Sequence, residues 1–209
     1  EVSSQPVSTF SVDVDRAAYS NIRRMIQQGT LPPKDAVRIE EMINYFDYDY
    51  PTPDAQTPSP LRVSYEQAPA TWNTTHYLLR IGLKTKPLDL SNTPASHLVF
   101  LIDVSGSMMD YNKLPLLKSS LKLLLQNLKS QDKVSIVTYA SCTQVALEPT
   151  SVREREKIEK VLDGLEAGGA TSGERGIQLA YEQAHKAFIK GGNNRIILAT
   201  DGDFNVGIN

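Results

Sequence analysis

Three short apolar runs constrain this chain more than any other feature: HLVFLI at 97–102, KVSIVTYA at 133–140 and RIILAT at 195–200. The first is continuously apolar, the pattern of a strand covered on both faces. Helical patterns separate the runs. Leu114, Leu117, Leu121, Leu124 and Leu128 recur at three- and four-residue spacing, with Pro115 in the first turn where a missing N–H costs little. Ile158, Val161, Leu162 and Leu165 face inward on a second helix over Val152–Leu165, and Ile177, Ala180, Tyr181, Ala184 and Phe188 form the stripe of a third. Thr143–Leu147 reads as a short strand returning across the turn at Ser141-Cys142. Strands alternating with helices predict an α/β domain, a mostly parallel sheet sandwiched by helices.

The first part of the chain has a different texture. Thr9–Val14 alternates like a short strand. Asp15 then reads as the N-cap of a helix that puts Ala18, Ile22, Met25 and Ile26 on one face and stops at Gly29. Metal binding by Asp13 and Asp15 is the competing reading. After Pro32-Pro33, Asp35 opens a second helix with Val37, Ile39, Met42, Ile43 and Phe46 inward. YFDYDY at 45–50 reads as a helix end running into a Pro-rich connector, with an acidic aromatic lip for a partner as the alternative. Leu61–Ala68 and His76–Thr85 form a hairpin around Trp72-Asn73, and residues 87–94 are a linker. The expected organisation is a smaller α+β module over 1–94 and the α/β domain over 95–209.

Charge narrows the function classes. With 22 Lys and Arg against 24 Asp and Glu the net charge is -2, and no basic stripe points to nucleic acid or to an anionic membrane surface. A single cysteine, Cys142, excludes an intrachain disulfide framework. No apolar run approaches the ~20 residues needed to span a bilayer. The chain opens at Glu1 without a Met, a basic n-region or an apolar h-region, as expected of a processed product or of a piece without its targeting segment.

Ligands of open α/β sheets sit outside the carboxyl ends of the strands, and three segments bring oxygen-bearing side chains to that edge. They are Asp103-Val-Ser105-Gly-Ser107, Thr171 after the Gly-rich loop, and Asp201. Hard divalent cations take oxygen ligands. Two carboxylates roughly neutralise such an ion, and neutral hydroxyls leave it electron-poor enough to attract a further carboxylate. Gly106 is expected to allow the turn of the first loop, and Gly168 and Gly169 to let the backbone beside Thr171 come close. Helix capping alone explains any one segment; the convergence of three favours metal.

FLIDVSGSM (100–108), GGAT (168–171) and ATDGDFN (199–205) resemble the three metal-site segments of von Willebrand factor A domains. The resemblance implies a Rossmann-like A domain with a metal-ion-dependent adhesion site. Ser105, Ser107 and Thr171 would be hydroxyl ligands, and Asp103 and Asp201 carboxylates acting directly or through water. The ion would be Mg²⁺ (or Mn²⁺, sometimes Ca²⁺), completed by a carboxylate of an unidentified protein partner. Asp203 has no place in the motif and is read as loop or second shell. Residues 8–46 are similar to the segment preceding the A domain in a group of bacterial, envelope-associated proteins, which implies the cell envelope or periplasm. The family sheet order is 3-2-1-4-5-6, and this chain stops just past the fourth strand. The remainder of the domain is therefore expected to be required, because the fourth strand is otherwise an unprotected edge.

Two other functions compete with binding. A Mg²⁺-dependent phosphoryl transferase or phosphatase would need a nucleophile or base at the metal, but the second position after Asp103 is Ser105, not an acid. His76, His97, His185 and Cys142 carry no catalytic signature, and neither GxGxxG nor GxxxxGK[ST] occurs. No enzyme is therefore expected. A scaffold with a vestigial or structural metal stays open.

Overall fold

The computed structural model describes residues 3–7, 9, 15–54, 56–87, 92–171 and 174–202. The expected strand at Thr9–Val14, with Asp13, falls almost wholly outside them, and so does Asp203. The chain divides into two compact units, residues 1–88 and 89–209.

In the first unit, α1 (Ala17–Gln27) buries Ala18 and Ile22 of the expected face and half-buries Met25, whereas Ile26 near its end is exposed. Its N-terminus is not capped by Asp15. The buried Glu41 accepts a hydrogen bond from the Ala18 amide at 2.8 Å and pairs with Arg38 Nε at 3.0 Å. Glu41 lies on α2 (Ile39–Tyr45), which is shorter than expected because a 3₁₀ turn at Lys34–Ala36 precedes it. Val37, Ile39, Ile43 and Phe46, expected inside, are exposed. The Glu41 carboxylate and the stacking of Tyr19 on Tyr45, ring centroids 3.9 Å apart, join this helix to its neighbour in place of the expected aliphatic stripe. Glu41→Ala leaves the buried Ala18 amide without its acceptor, a cost of about 1–3 kcal/mol. Hydrogen exchange in the first turn of α1 is expected to accelerate about tenfold or more, whereas Glu41→Gln, which keeps an acceptor, should change it less.

Strands β1 (Leu61–Ala70) and β2 (Asn73–Thr85) form the expected hairpin, a two-stranded antiparallel ribbon. Tyr48 and Tyr50 stack with centroids 5.4 Å apart, and the Arg80 guanidinium lies 5.5 Å from the Tyr50 ring. Gly82 makes room for them, since a Cβ there would meet the Tyr50 ring at 2.8 Å. The aromatic-acidic stretch is thus in part a cover for one face of the ribbon. The opposite face carries the exposed Val63, Tyr65, Tyr77, Leu79 and Ile81.

The second unit is built on a four-stranded sheet of β3 (Ser96–Asp103), β4 (Lys133–Tyr139), β5 (Thr143–Ser151) and β6 (Asn193–Ala199). Their order is β5-β4-β3-β6, with β3 parallel to both neighbours and β5 antiparallel to β4. This is the 3-2-1-4 part of the expected order. Alternation along β3 sends Leu98, Phe100 and Ile102 to one face. There they pack with Leu114, Leu121 and Leu125 of α3 (Leu114–Asn127) and Ile158 and Leu162 of α4 (Arg155–Asp163). Val99 and Leu101 point the other way, with Val137, Tyr139 and Ala180 of α5 (Glu174–Lys186). Two-sided burial explains why the run is continuously apolar. Each such side chain contributes about 1.5–3 kcal/mol.

His97 opens β3 fully buried, with Nε2 2.9 Å from Ser135 Oγ. Burial, and secondarily the charge of Lys133, holds its pKa below the usual histidine range. The unfolded chain takes up this proton near pH ~6.5, the folded chain only at lower pH. Stability is therefore intact above pH ~6.5 and falls as the pH drops below it, by at most about 1.4 kcal/mol per pH unit for one proton. His97→Gln is expected to flatten the slope between pH 7 and pH 5 in urea unfolding followed by circular dichroism.

Candidate metal-binding site

The site forms where β3 and β6 end. Asp103, the last residue of β3, is completely buried and paired in register with Tyr139. Its Oδ1 accepts the Ser105 amide at 2.8 Å, which turns the chain immediately after the strand. Its Oδ2 accepts the Thr200 hydroxyl at 3.2 Å, which ties the end of β6 to β3. The Ser105 and Ser107 hydroxyls then lie 3.1 Å apart, Ser105 buried and Ser107 exposed.

The glycine loop is joined to this turn by backbone bonds in both directions. The Gly106 amide donates to the Gly169 carbonyl at 2.9 Å, and the Gly168 amide to the Val104 carbonyl at 2.8 Å. Gly169 has φ +79°, and a Cβ there would stand 2.4 Å from Ser141 Oγ, which itself accepts the Ala170 amide at 2.8 Å. Gly168 has no atom near its absent Cβ, and Gly106 only the Gly169 carbonyl at 3.4 Å. The close approach expected of both loop glycines thus rests on Gly169. Thr171 follows, half-buried, and its side chain makes no hydrogen bond among the described residues.

Asp201 is joined to the same turn through Lys113. Its side chain is 13% exposed and its Oδ2 accepts from Lys113 Nζ at 2.8 Å. The same ammonium donates to the Ser107 carbonyl at 2.9 Å. Tyr139 reports on both carboxylates. Burial pushes its phenol up to about 12, and the charges of Asp103 and Asp201 act in the same direction, against a lowering by the Thr200 hydroxyl. Four of the five expected ligands are therefore linked by hydrogen bonds, in part through Lys113, into one cluster, and Thr171 stands on the loop bonded to it. Lys113, Thr200, Tyr139 and Ser141 complete the surroundings, and no spacing in the sequence singles them out.

The donor set is oxygen only. Among the described residues no three His, Cys, Asp or Glu side chains converge, so hydroxyls would have to supply what two carboxylates do not. Adjacent corners of an octahedron with bonds of ~2.1 Å lie roughly 3 Å apart, which the Ser105–Ser107 separation of 3.1 Å matches. The residues fit a small hard cation. A groove of about 340 Å³ flanks the turn, lined in part by Met108, Met109, Leu114 and Lys118. Of these Met109 is exposed.

A family model described as von Willebrand factor type A domain matches residues 98–203, half of the chain. The chain belongs to the bacterial proteins of this family. A second model, described as von Willebrand factor, matches residues 1–80. The whole chain is 50% identical to Uncharacterized protein YfbK of Escherichia coli (strain K12), over 100% of this chain and 37% of that protein. It is 33% identical to the Magnesium-chelatase 60 kDa subunit of Rhodobacter capsulatus, over 53% of this chain and 20% of the subunit. The chain thus spans little more than a third, or less, of these curated relatives. Among solved structures it is similar to conserved hypothetical protein BatB from Bacteroides thetaiotaomicron. The TM-score is 0.48 at 22% identity, over 54% of this chain and 57% of that one.

Proposed function

We propose that this A domain is a cation-dependent protein-binding module. Asp103, Ser105, Ser107, Thr171 and Asp201 hold one Mg²⁺ (or Mn²⁺ or Ca²⁺), and an acidic side chain of a partner completes the coordination. The observation that carries the reading is the pair of hydroxyls 3.1 Å apart on a turn held by the Asp103 carboxylate and joined to the Asp201 carboxylate through Lys113. A bound divalent ion supplies a Lewis-acidic position for an oxygen ligand. The chain's own residues neutralise and orient it, with Asp103 fixed by the Ser105 amide and the Thr200 hydroxyl. The exposed Met109, two residues past Ser107, offers apolar contact area beside that polar centre.

Binding fits these residues better than turnover. The two serine hydroxyls face each other, and the buried His97 lies at the opposite end of β3. The envelope location implied by residues 8–46 belongs to the same proposal; among the described residues no helix is long and apolar enough to cross a membrane.

Water-proton relaxation with Mn²⁺ tests the open position. A carboxylate that enters the coordination displaces water, so acetate is expected to lower the relaxivity of the Mn²⁺-loaded domain saturably. A loaded domain whose relaxivity ignores acetate would rule out the acidic-partner mechanism.

A further inference from the structure

The ion pair at the end of β6 joins two elements that the proposed metal needs. Lys113 immediately precedes α3, and its ammonium lies 2.8 Å from Asp201 Oδ2 and 2.9 Å from the Ser107 carbonyl. One cationic group thus ties the turn carrying Ser105 and Ser107 to the carboxylate from the last strand. The pair is partly shielded, with the lysine side chain 29% and the aspartate 13% exposed. At that depth it is screened less than a surface pair.

We propose that Lys113 is an internal competitor for the divalent ion: it holds Asp201 in the metal-free domain and must leave it when the metal binds. This rests on the metal-site reading above. The physical reason is charge. One carboxylate cannot keep an ammonium at hydrogen-bond distance and also face a divalent cation without placing two like charges side by side. Lys113 has a four-carbon stem and three rotatable donors, so it can swing outward while the backbone around Ser107 stays in place. Metal uptake then releases a strap between the β3 turn and the end of β6, and metal loss restores it. The lysine lowers metal affinity and keeps the two loops together when no metal is present.

Mg²⁺ calorimetry and thermal unfolding of the chain, wild type beside Lys113→Met and Lys113→Arg, test this, with Asp103→Asn as the metal-site control. Lys113→Met removes the charge and keeps much of the apolar stem. It is expected to bind Mg²⁺ about tenfold more tightly or better, to unfold at a lower temperature than wild type in EDTA, and to gain more from Mg²⁺. Lys113→Arg, which keeps the charge, should retain the weaker affinity. Affinity in Lys113→Met equal to or below that of wild type, with binding abolished in Asp103→Asn, would overturn the competitor role while leaving the metal site standing. Absence of Mg²⁺ binding in both wild type and Lys113→Met would overturn the site and the competitor together.

Discussion

Asp103→Asn is expected to weaken Mg²⁺ binding by about 100-fold or more while the chain stays folded. Outer-shell partners of metal ligands alone are worth about 10–100-fold in affinity, and Asp103 supplies one of the two carboxylates that the described residues bring to this cluster. The substitution is chosen to spare the scaffold. An asparagine oxygen can still accept the Ser105 amide, and its amino group can donate to the Thr200 oxygen with a rotated hydroxyl. What is lost is the negative charge that a hard cation requires. At a Mg²⁺ concentration 100 times the wild-type Kd, the wild-type chain gains about 2.7 kcal/mol of stability. The asparagine variant should gain little, and its circular dichroism in EDTA should match that of wild type. Unchanged calorimetric affinity would remove Asp103 from the ligand set.

Gly169→Ala is expected to cost about 2–4 kcal/mol, combining a left-handed backbone angle with a steric overlap. At φ +79° a side chain is strained in any surroundings, and here the added methyl would lie 2.4 Å from Ser141 Oγ. Relief requires the Ser141 hydroxyl to rotate away or the glycine loop to withdraw; either breaks the Ala170–Ser141 bond, and withdrawal also loosens the two backbone bonds to the β3 turn. Metal affinity should fall with stability, because Thr171 sits two residues further along. Gly168→Ala is the internal control: its backbone angle is not left-handed and its Cβ meets open space, so it should be close to neutral. The single tryptophan, Trp72, lies in the first unit, so far-UV circular dichroism is the better probe of the sheet domain. Equal unfolding midpoints for the two alanine variants would contradict the role given to Gly169.

The A-domain sheet was legible because its signals are strong and mutually consistent. A strand buried on both faces reads as an unbroken apolar run, and the leucine stripe of α3 lands on the sheet at Leu114 and Leu121 with Leu117 and Leu124 packed against it. The ends of β3 and β6 then follow from topology, which brings Asp103, Ser105, Ser107 and Asp201 to one edge. The surroundings were not legible. Lys113 lies 88 residues from Asp201 in sequence, and nothing local in the sequence encodes an ion pair across that distance. The same holds for Glu41, whose capping of α1 spans 23 residues and displaces the local Asp15 reading. In α2 the apolar spacing suggested an inward stripe, but the seven-residue helix is held by a buried carboxylate and the stacking of Tyr45 on Tyr19, and leaves Ile39 and Ile43 outside. Short helices carry too few apolar positions for period alone to choose the buried face.

The central claim is that the oxygen cluster at the ends of β3 and β6 is a working cation site. Titration calorimetry of Mg²⁺ into this chain tests it most directly. Saturable binding to one site, lost in Asp103→Asn and accompanied by a Mg²⁺-dependent rise in the unfolding temperature, is the predicted result. Neither heat nor stabilisation from Mg²⁺ or Mn²⁺, in the wild-type chain and in Lys113→Met alike, would contradict it.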